Sequence, residues 1–234
     1  MNKLARSIRK KIRYILDAKT VRNSGVKLVS DGTRISPYLR DLIYREAYED
    51  TEANVLLRSL KPGTKVLEIG TGVGFIALLA AKICGAQNVK TYEANPASEQ
   101  LIRENFALNG IEPVLVMKAM TSDGRSLAFN VSDNIISSSA YELGTQSKQI
   151  TVSSDAFANT LRDYDPDMII MDVEGAEYEL FLSVSQLPAK DILVELHPQI
   201  IGQDKVDEIV SHLKNAGYEI SYTDRKTFHF SRGR

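Results

Sequence analysis

Residues 65–74, Lys-Val-Leu-Glu-Ile-Gly-Thr-Gly-Val-Gly, restrict this chain more than any other stretch. Val66, Leu67 and Ile69 form a short apolar, β-prone run. Glycines follow at 70, 72 and 74, and residues 75–81 (Phe-Ile-Ala-Leu-Leu-Ala-Ala) read as a buried helix. A strand passing through a glycine-rich turn into a helix is the first unit of a nucleotide-binding α/β fold. Glycine lets the backbone approach a ligand closely, and the helix N-terminus offers unpaired N–H groups. The spacing departs from the dinucleotide fingerprint G-x-G-x-x-G, because Gly72 and Gly74 are only two residues apart. Glu68 would repel a pyrophosphate from this turn but suits a ligand that carries an ammonium group.

At 234 residues the chain has room for one α/β domain with a full core. No apolar run is long enough to cross a membrane, and no apolar h-region follows the first basic residues. The single cysteine, Cys84, excludes an internal disulfide; it suits a reducing, cytoplasmic compartment and reads as a buried structural thiol. The net charge of −1 argues against wholesale nucleic-acid binding, but residues 1–30 carry nine Lys and Arg against Asp17 alone. Within them Leu4, Ile8, Ile12 and Ile15 recur as one apolar stripe of a helix. The expectation is a basic helix docked on the domain or on a second subunit, giving a homo-oligomer. Attachment to a membrane surface would want a richer apolar face than four aliphatics. Residues 1–60 thus read as a helical extension, and 61–234 as the ligand-binding domain.

Beyond the glycine turn, Asn88 to Tyr92 is a second strand that closes on Glu93 and Ala94. An acidic residue at that strand end can accept both ribose hydroxyls of an adenosine, whichever cofactor carries it. Val114 to Met117 is a third strand, and Met120, Thr121 and Asp123 follow it at the edge that borders an adenine. Asp123 offers an acceptor to the adenine amino group, although Asp-Gly is also a plain turn. Residues 125–153 interrupt the rhythm with an inserted hairpin, 127–131 and 149–152, around a polar segment from Ser132 to Lys148. Loops of that length are often functional, and its hydroxyl and amide groups suit a sugar-like acceptor. Ser154 or Asp155 can cap the helix that follows. Met168 to Met171 is a fully apolar central strand, delivering Asp172-Val173-Glu174-Gly175-Ala176-Glu177 to the sheet's carboxyl edge. Three carboxylates so close repel one another unless a cation or proton is shared. A fifth strand, Ile192 to Leu196, contains Glu195 and ends in His197-Pro198. Glu195 needs a partner there, and His197 is a candidate general base. Residues 218–222 and 227–231 form a closing hairpin whose last strand runs antiparallel.

The glycine turn Glu-x-Gly-x-Gly-x-Gly resembles motif I of the class I S-adenosylmethionine-dependent methyltransferases. The run 172–177 together with Val194-Glu195-Leu196-His197-Pro198 resembles the FkbM-type members of that class over roughly residues 50–200. Two departures stand out. Glu68, Thr71 and Gly72 replace the family's usual Asp, Ala and Asn, and Ile170 stands where a lysine is common. The resemblance implies a Rossmann-like, seven-stranded, mostly parallel sheet with helices on both faces and methyl transfer to a hydroxyl of a sugar or natural product. It implies that Glu68, Gly70, Thr71, Gly72, Gly74 and Phe75 hold the methionine portion of S-adenosylmethionine. Glu93 and Ala94 would hold the ribose, and Met120, Thr121 and Asp123 the adenine. The methyl would then face Asp172, Glu174, Glu195 and His197, with His197 and Asp172 as base or orienting groups. Those four side chains could instead hold a divalent metal, a less favoured arrangement. The competing functional classes are a nicotinamide-linked oxidoreductase, disfavoured by the glycine spacing, and a non-catalytic module that retains the cofactor fold.

Overall fold

The computed structural model describes residues 3–131 and 148–233; the expected polar segment from Ser132 onward lies outside them until Lys148. The first expected strand is β3 (Val66–Ile69), after β1 (Thr20–Asn23) and β2 (Val26–Val29), which pair as an antiparallel hairpin. β4 (Val89–Tyr92) and β5 (Val114–Val116) follow, then β6 (Ala119–Thr121), β7 (Leu127–Val131), β8 (Lys148–Val152) and β9 (Ser154–Ala156). β10 (Met168–Met171), β11 (Asp191–Glu195), β12 (Glu219–Asp224) and β13 (Thr227–Ser231) complete the strands. The main sheet has seven strands in the order β12-β13-β11-β10-β3-β4-β5. β3, β4, β5, β10 and β11 are parallel, and β13 runs antiparallel to both its neighbours. β3 and β10 lie side by side at the centre and are buried at every position, so apolar residues occur on both faces rather than alternately.

α4 (Phe75–Cys84) and α5 (Glu99–Asn109) cover one face together with α3 (Asp50–Ser59). α7 (Glu177–Leu182) and α9 (Gln203–Asn215) cover the other with α6 (Phe157–Tyr164). α4 is apolar over almost its whole circumference because it is wrapped by sheet, α5 and the N-terminal residues. Cys84 is buried at its end, and burial pushes its thiol up to about 11, which makes it structural as expected. Residues 154–156 do not cap α6 as expected. They pair with β6, Ser154 donates to the Arg125 carbonyl at 2.6 Å, and Asp155 receives Lys118 at 2.7 Å.

The expected division at residue 60 is not a structural one. Val21, Leu28, Leu39 and Leu56 lie in the same core as α4 and β3. Asn105 of α5 donates to the Val73 carbonyl and accepts from Val29 N–H, both at 2.8 Å, and so ties β2 to the glycine turn. α2 (Pro37–Tyr44) starts where Ser36 caps Leu39 N–H, with Pro37 at the first position. α1 (Lys3–Ile15) does dock on the domain, but through the face opposite to its apolar stripe. Arg6 pairs with Asp50 at 2.8 Å, and Arg13 with Glu46 at 2.6 Å.

Candidate active site

The carboxyl ends of β3, β4, β10 and β11 open into a cavity of about 450 Å³. This is the edge at which open α/β sheets bind ligands. Gly70 and Gly72 form its floor. Both have positive φ, at 93° and 59°, and a Cβ on Gly70 would lie 1.8 Å from the Asp172 carbonyl oxygen. A Cβ on Gly72 would lie 2.8 Å from the Tyr48 hydroxyl and 3.7 Å from Glu49 Oε1. A side chain at Gly70 would run into the Asp172 backbone and one at Gly72 into the Tyr48 hydroxyl, so the close approach of these segments requires glycine at both positions.

Glu93, Ala94 and Met120 line the same cavity. Glu93 accepts from Gly72 N–H at 2.9 Å and from Asn95 N–H at 2.8 Å, which fixes the carboxylate. Burial pushes it up to about 7, against the pull of these backbone donors. Each carboxylate oxygen retains accepting capacity for a ribose hydroxyl. The adenosine end of the cavity therefore fits the expected ligand.

Several expected cofactor residues are placed elsewhere. Glu68 lies beneath the turn, where Thr71 donates to it at 3.2 Å and Thr91 also bonds it; burial pushes it up to about 7. Because side chains alternate along β3, Glu68 faces away from the cavity that Ile69 lines. The hydroxyl of Thr71 is taken up by the same buried group, and Phe75 is fully buried in α4. Gly74 is needed for packing, since a Cβ there would meet the Phe106 ring at 2.9 Å. Thr121 accepts from Gly124 N–H at 2.9 Å within its own turn. Asp123 is 61% exposed and pairs with Arg125 at 2.9 Å outside the cavity, which leaves it a plain turn residue.

The other end of the cavity gathers the four expected acceptor-side residues. Asp172, Glu174, Glu195 and His197 all line it. His197 is 3% exposed; its Nδ1 is 2.5 Å from Glu177 Oε1, and its Nε2 is 3.4 Å from Glu195 and 3.6 Å from Asp172. Glu177, fully buried at the head of α7, also accepts from Gly175 N–H at 2.8 Å. Burial alone would lower the imidazole; the bonds to Glu177 and Glu195 and the Asp172 charge outweigh it and push His197 up to about 10. These contacts favour the protonated ring at neutral pH, which weighs against His197 as the general base. Asp172 is pushed up toward about 8 by burial and the neighbouring Glu195 charge, although its side chain remains 42% exposed toward the cavity, which moderates the effect of burial. Its Oδ1 is closed off from solvent and makes no hydrogen bond among the described residues.

Three participants were absent from the sequence-based list. Lys226, in the turn between β12 and β13, bonds Glu195 and stands 3.4 Å from His197 Nε2. It supplies the partner that Glu195 needs inside an apolar strand. Glu177 orients the histidine. Glu49, in the left-handed region at φ 48°, lines the cavity beside Tyr48, and its Oε2 is buried without a hydrogen-bond partner among the described residues. Burial, together with Glu52, Asp172 and Glu68, holds the Glu49 carboxyl well above its ordinary range. One ligand atom each from Asp172, Glu195 and His197 would fall within 4.8 Å of the others, a spacing suited to a metal. Lys226 already places an ammonium on that cluster.

The sheet order, the glycine turn and the carboxylate at the end of β4 define a Rossmann-like class I methyltransferase fold. The family model for the methyltransferase FkbM domain matches residues 68–220, and the chain belongs to that family, whose methyl donor is S-adenosylmethionine. Among curated relatives, a ribosomal protein L11 methyltransferase of Caldicellulosiruptor saccharolyticus is 42% identical over 53 residues, 23% of this chain and 17% of that protein. One of Symbiobacterium thermophilum is 34% identical over 77 residues, 33% of this chain and 25% of that protein. The chain thus matches only a quarter or less of those relatives' length. Among solved structures, a ribosomal protein L11 methylase from Lactobacillus delbrueckii subsp. bulgaricus is similar with a TM-score of 0.49 at 18% identity, covering 80% of each chain.

Proposed function

We propose that this chain methylates a hydroxyl of a small polar acceptor, using S-adenosylmethionine held between the glycine turn and the Asp172 edge. The observation that carries the reading is one cavity with an adenosine-type carboxylate, Glu93, at one end and a proton-poised carboxylate, Asp172, at the other. When bound, the cofactor supplies a methyl group on a cationic sulfur. Glu93 takes the ribose hydroxyls, Ala94 and Met120 border the adenosine, and Gly70 and Gly72 admit the backbone to the methionine portion. Glu49 takes the ammonium that the sequence assigned to Glu68: it lines the cavity, one of its oxygens is unpaired among the described residues, and a bound ammonium would favour its ionised form. In its ionised form Asp172 receives the acceptor's proton as the acceptor oxygen attacks, so turnover should rise with pH toward about 8; alignment of the reacting atoms supplies much of the rate. His197, held by Glu177, and Lys226 fix Asp172 and Glu195 without giving or taking the proton. No metal is required, because Lys226 provides the positive charge at Glu195.

Eight carboxylate residues line the cavity against three lysines and arginines, which favours a neutral or cationic acceptor over a polyanion such as RNA. Calorimetric titration with S-adenosylhomocysteine, with NADH as comparator, tests the cofactor reading. Micromolar binding of the former alone, weakened about tenfold or more by Glu93→Ala through lost hydrogen bonds, is expected. Binding of neither ligand would overturn it.

A further inference from the structure

Helical spacing places Arg6, Arg9, Lys10 and Arg13 on one face of α1, and Ile8, Ile12 and Ile15 on the other. In most helices packed on a domain the aliphatic face turns inward. Here the cationic face does. Arg6 meets Asp50 at 2.8 Å and Lys10 meets Asp41 at 2.5 Å, while Arg9 and Arg13 converge on Glu46 at 3.1 and 2.6 Å. Arg13 also donates to the Tyr44 carbonyl at 2.6 Å, and the Tyr14 ring stands edge-on to Tyr44 with centroids 4.7 Å apart. The aliphatics are left in water: Ile8 is 50% exposed, Ile12 49%, Ile15 83% and the adjoining Leu16 72%. Tyr14, 41% exposed, is turned from them toward Tyr44 and donates to Asp41. Orienting the helix this way forgoes the burial of its aliphatics on the domain in exchange for half-exposed ion pairs, each of small net value. A contiguous apolar stripe presented outward marks a surface that something else covers.

We infer that this face docks α1 onto an anionic membrane surface. The charges beside the stripe decide between occupants. Lys11 flanks it on one side and Arg9, 51% exposed while paired with Glu46, on the other; Lys19 beyond them is paired with Asp17 and Asp31 and adds little to that rim. Two copies of α1 meeting through the stripe would bring these cations against their own counterparts, whichever way the helices run. An anionic headgroup layer meets the same cations with opposite charge. It takes Ile8, Ile12, Ile15 and Leu16 into the acyl boundary; Leu16 widens the face beyond the periodic stripe, and the charge attraction supplements an apolar face that alone would be too small. Thirteen residues are too few to cross a bilayer, so the helix lies in the interface plane. The cavity is close by: α2 packs against α1 and contributes Tyr38 and Leu42 to the cavity lining. Docking through α1 therefore holds the cavity beside the lipid surface.

The test is co-sedimentation of the purified chain with vesicles of phosphatidylcholine alone, or of phosphatidylcholine mixed with phosphatidylglycerol. The chain is expected to sediment with the mixed vesicles only. The double variant Ile12→Glu, Ile15→Glu should lower the bound fraction about tenfold, as expected from lost apolar insertion and added repulsion. Both positions are exposed, so circular dichroism and S-adenosylhomocysteine affinity should be unchanged in that variant. A milder variant, Lys11→Glu, should weaken retention on mixed vesicles with the stripe intact. Failure to bind mixed vesicles, or equal binding by wild type and both variants, would overturn the inference. So would a dimer in sedimentation velocity that the double variant dissociates, which would give the face to a second copy. None of these outcomes depends on the methyl-transfer reading.

Discussion

Asp172 and His197 sit within 3.6 Å of each other, and both are shifted upward, Asp172 by burial and nearby carboxylates and His197 by its bonds to Glu177 and Glu195. Asp172→Asn should lower turnover about a hundredfold, the usual scale for loss of a proton acceptor, and leave S-adenosylhomocysteine affinity nearly unchanged. A parallel collapse of affinity would assign Asp172 to cofactor binding instead. Glu49→Gln should weaken S-adenosylhomocysteine about tenfold, on the scale of one charge-assisted hydrogen bond, and leave methylthioadenosine, which lacks the amino-acid tail, unaffected. An equal loss for both ligands would remove Glu49 from the ammonium site. For His197 the sign of the pH effect follows from a raised pKa. Its stabilisation is complete below the ordinary value of 6.5 and is lost as pH rises through about 10. Thermal melts of the wild type should therefore fall between pH 7 and 10, and His197→Gln should flatten that fall. Glu49 was not readable beforehand because nothing in Tyr48-Glu49-Asp50 distinguishes a buried orphan from a solvated helix start. Glu68 misled for the opposite reason: its place in the glycine motif is conspicuous, but strand alternation turns it under the turn.

The strand-turn-helix unit of β3 and α4, the acidic run after β10 and the Glu195–His197 end of β11 were all legible, because each couples a periodic apolar segment to chemistry at its carboxyl end. What could not be read were contacts between elements distant in sequence. Lys226 reaches Glu195 only because β13 pairs with β11 in a register that sets Glu195 opposite Thr227. Asn105 is similar, a polar residue on a helix whose two bonds join β2 to the glycine turn. Asn105→Ala should cost about 1–3 kcal/mol in chemical denaturation, since it leaves a buried N–H and a carbonyl unpaired. A change below half a kilocalorie would mean that the hairpin is not fastened there. The outward stripe of α1 was visible as periodicity, but periodicity cannot tell which face meets the domain.

At the scale of the molecule, residues 21–60 belong to the same core as the sheet, so what sequence suggested was an extension is part of the methyltransferase body. Excess chelator should leave turnover unchanged, because the cation beside Glu195 is a lysine of the chain itself. Loss of activity restored by a divalent ion would instead assign the Asp172–Glu195–His197 cluster to a metal. The contact between Gly70 and the Asp172 carbonyl has a consequence for divergence. With a Cβ on Gly70 only 1.8 Å from that oxygen, the glycine turn and the loop that begins at Asp172 touch backbone to backbone. Neither can change length or path without moving the other. New acceptor preferences in such a chain must be acquired at the periphery of the cavity, through Tyr38, Leu127 or the turn that carries Arg225, while its two inner loops are inherited as one unit.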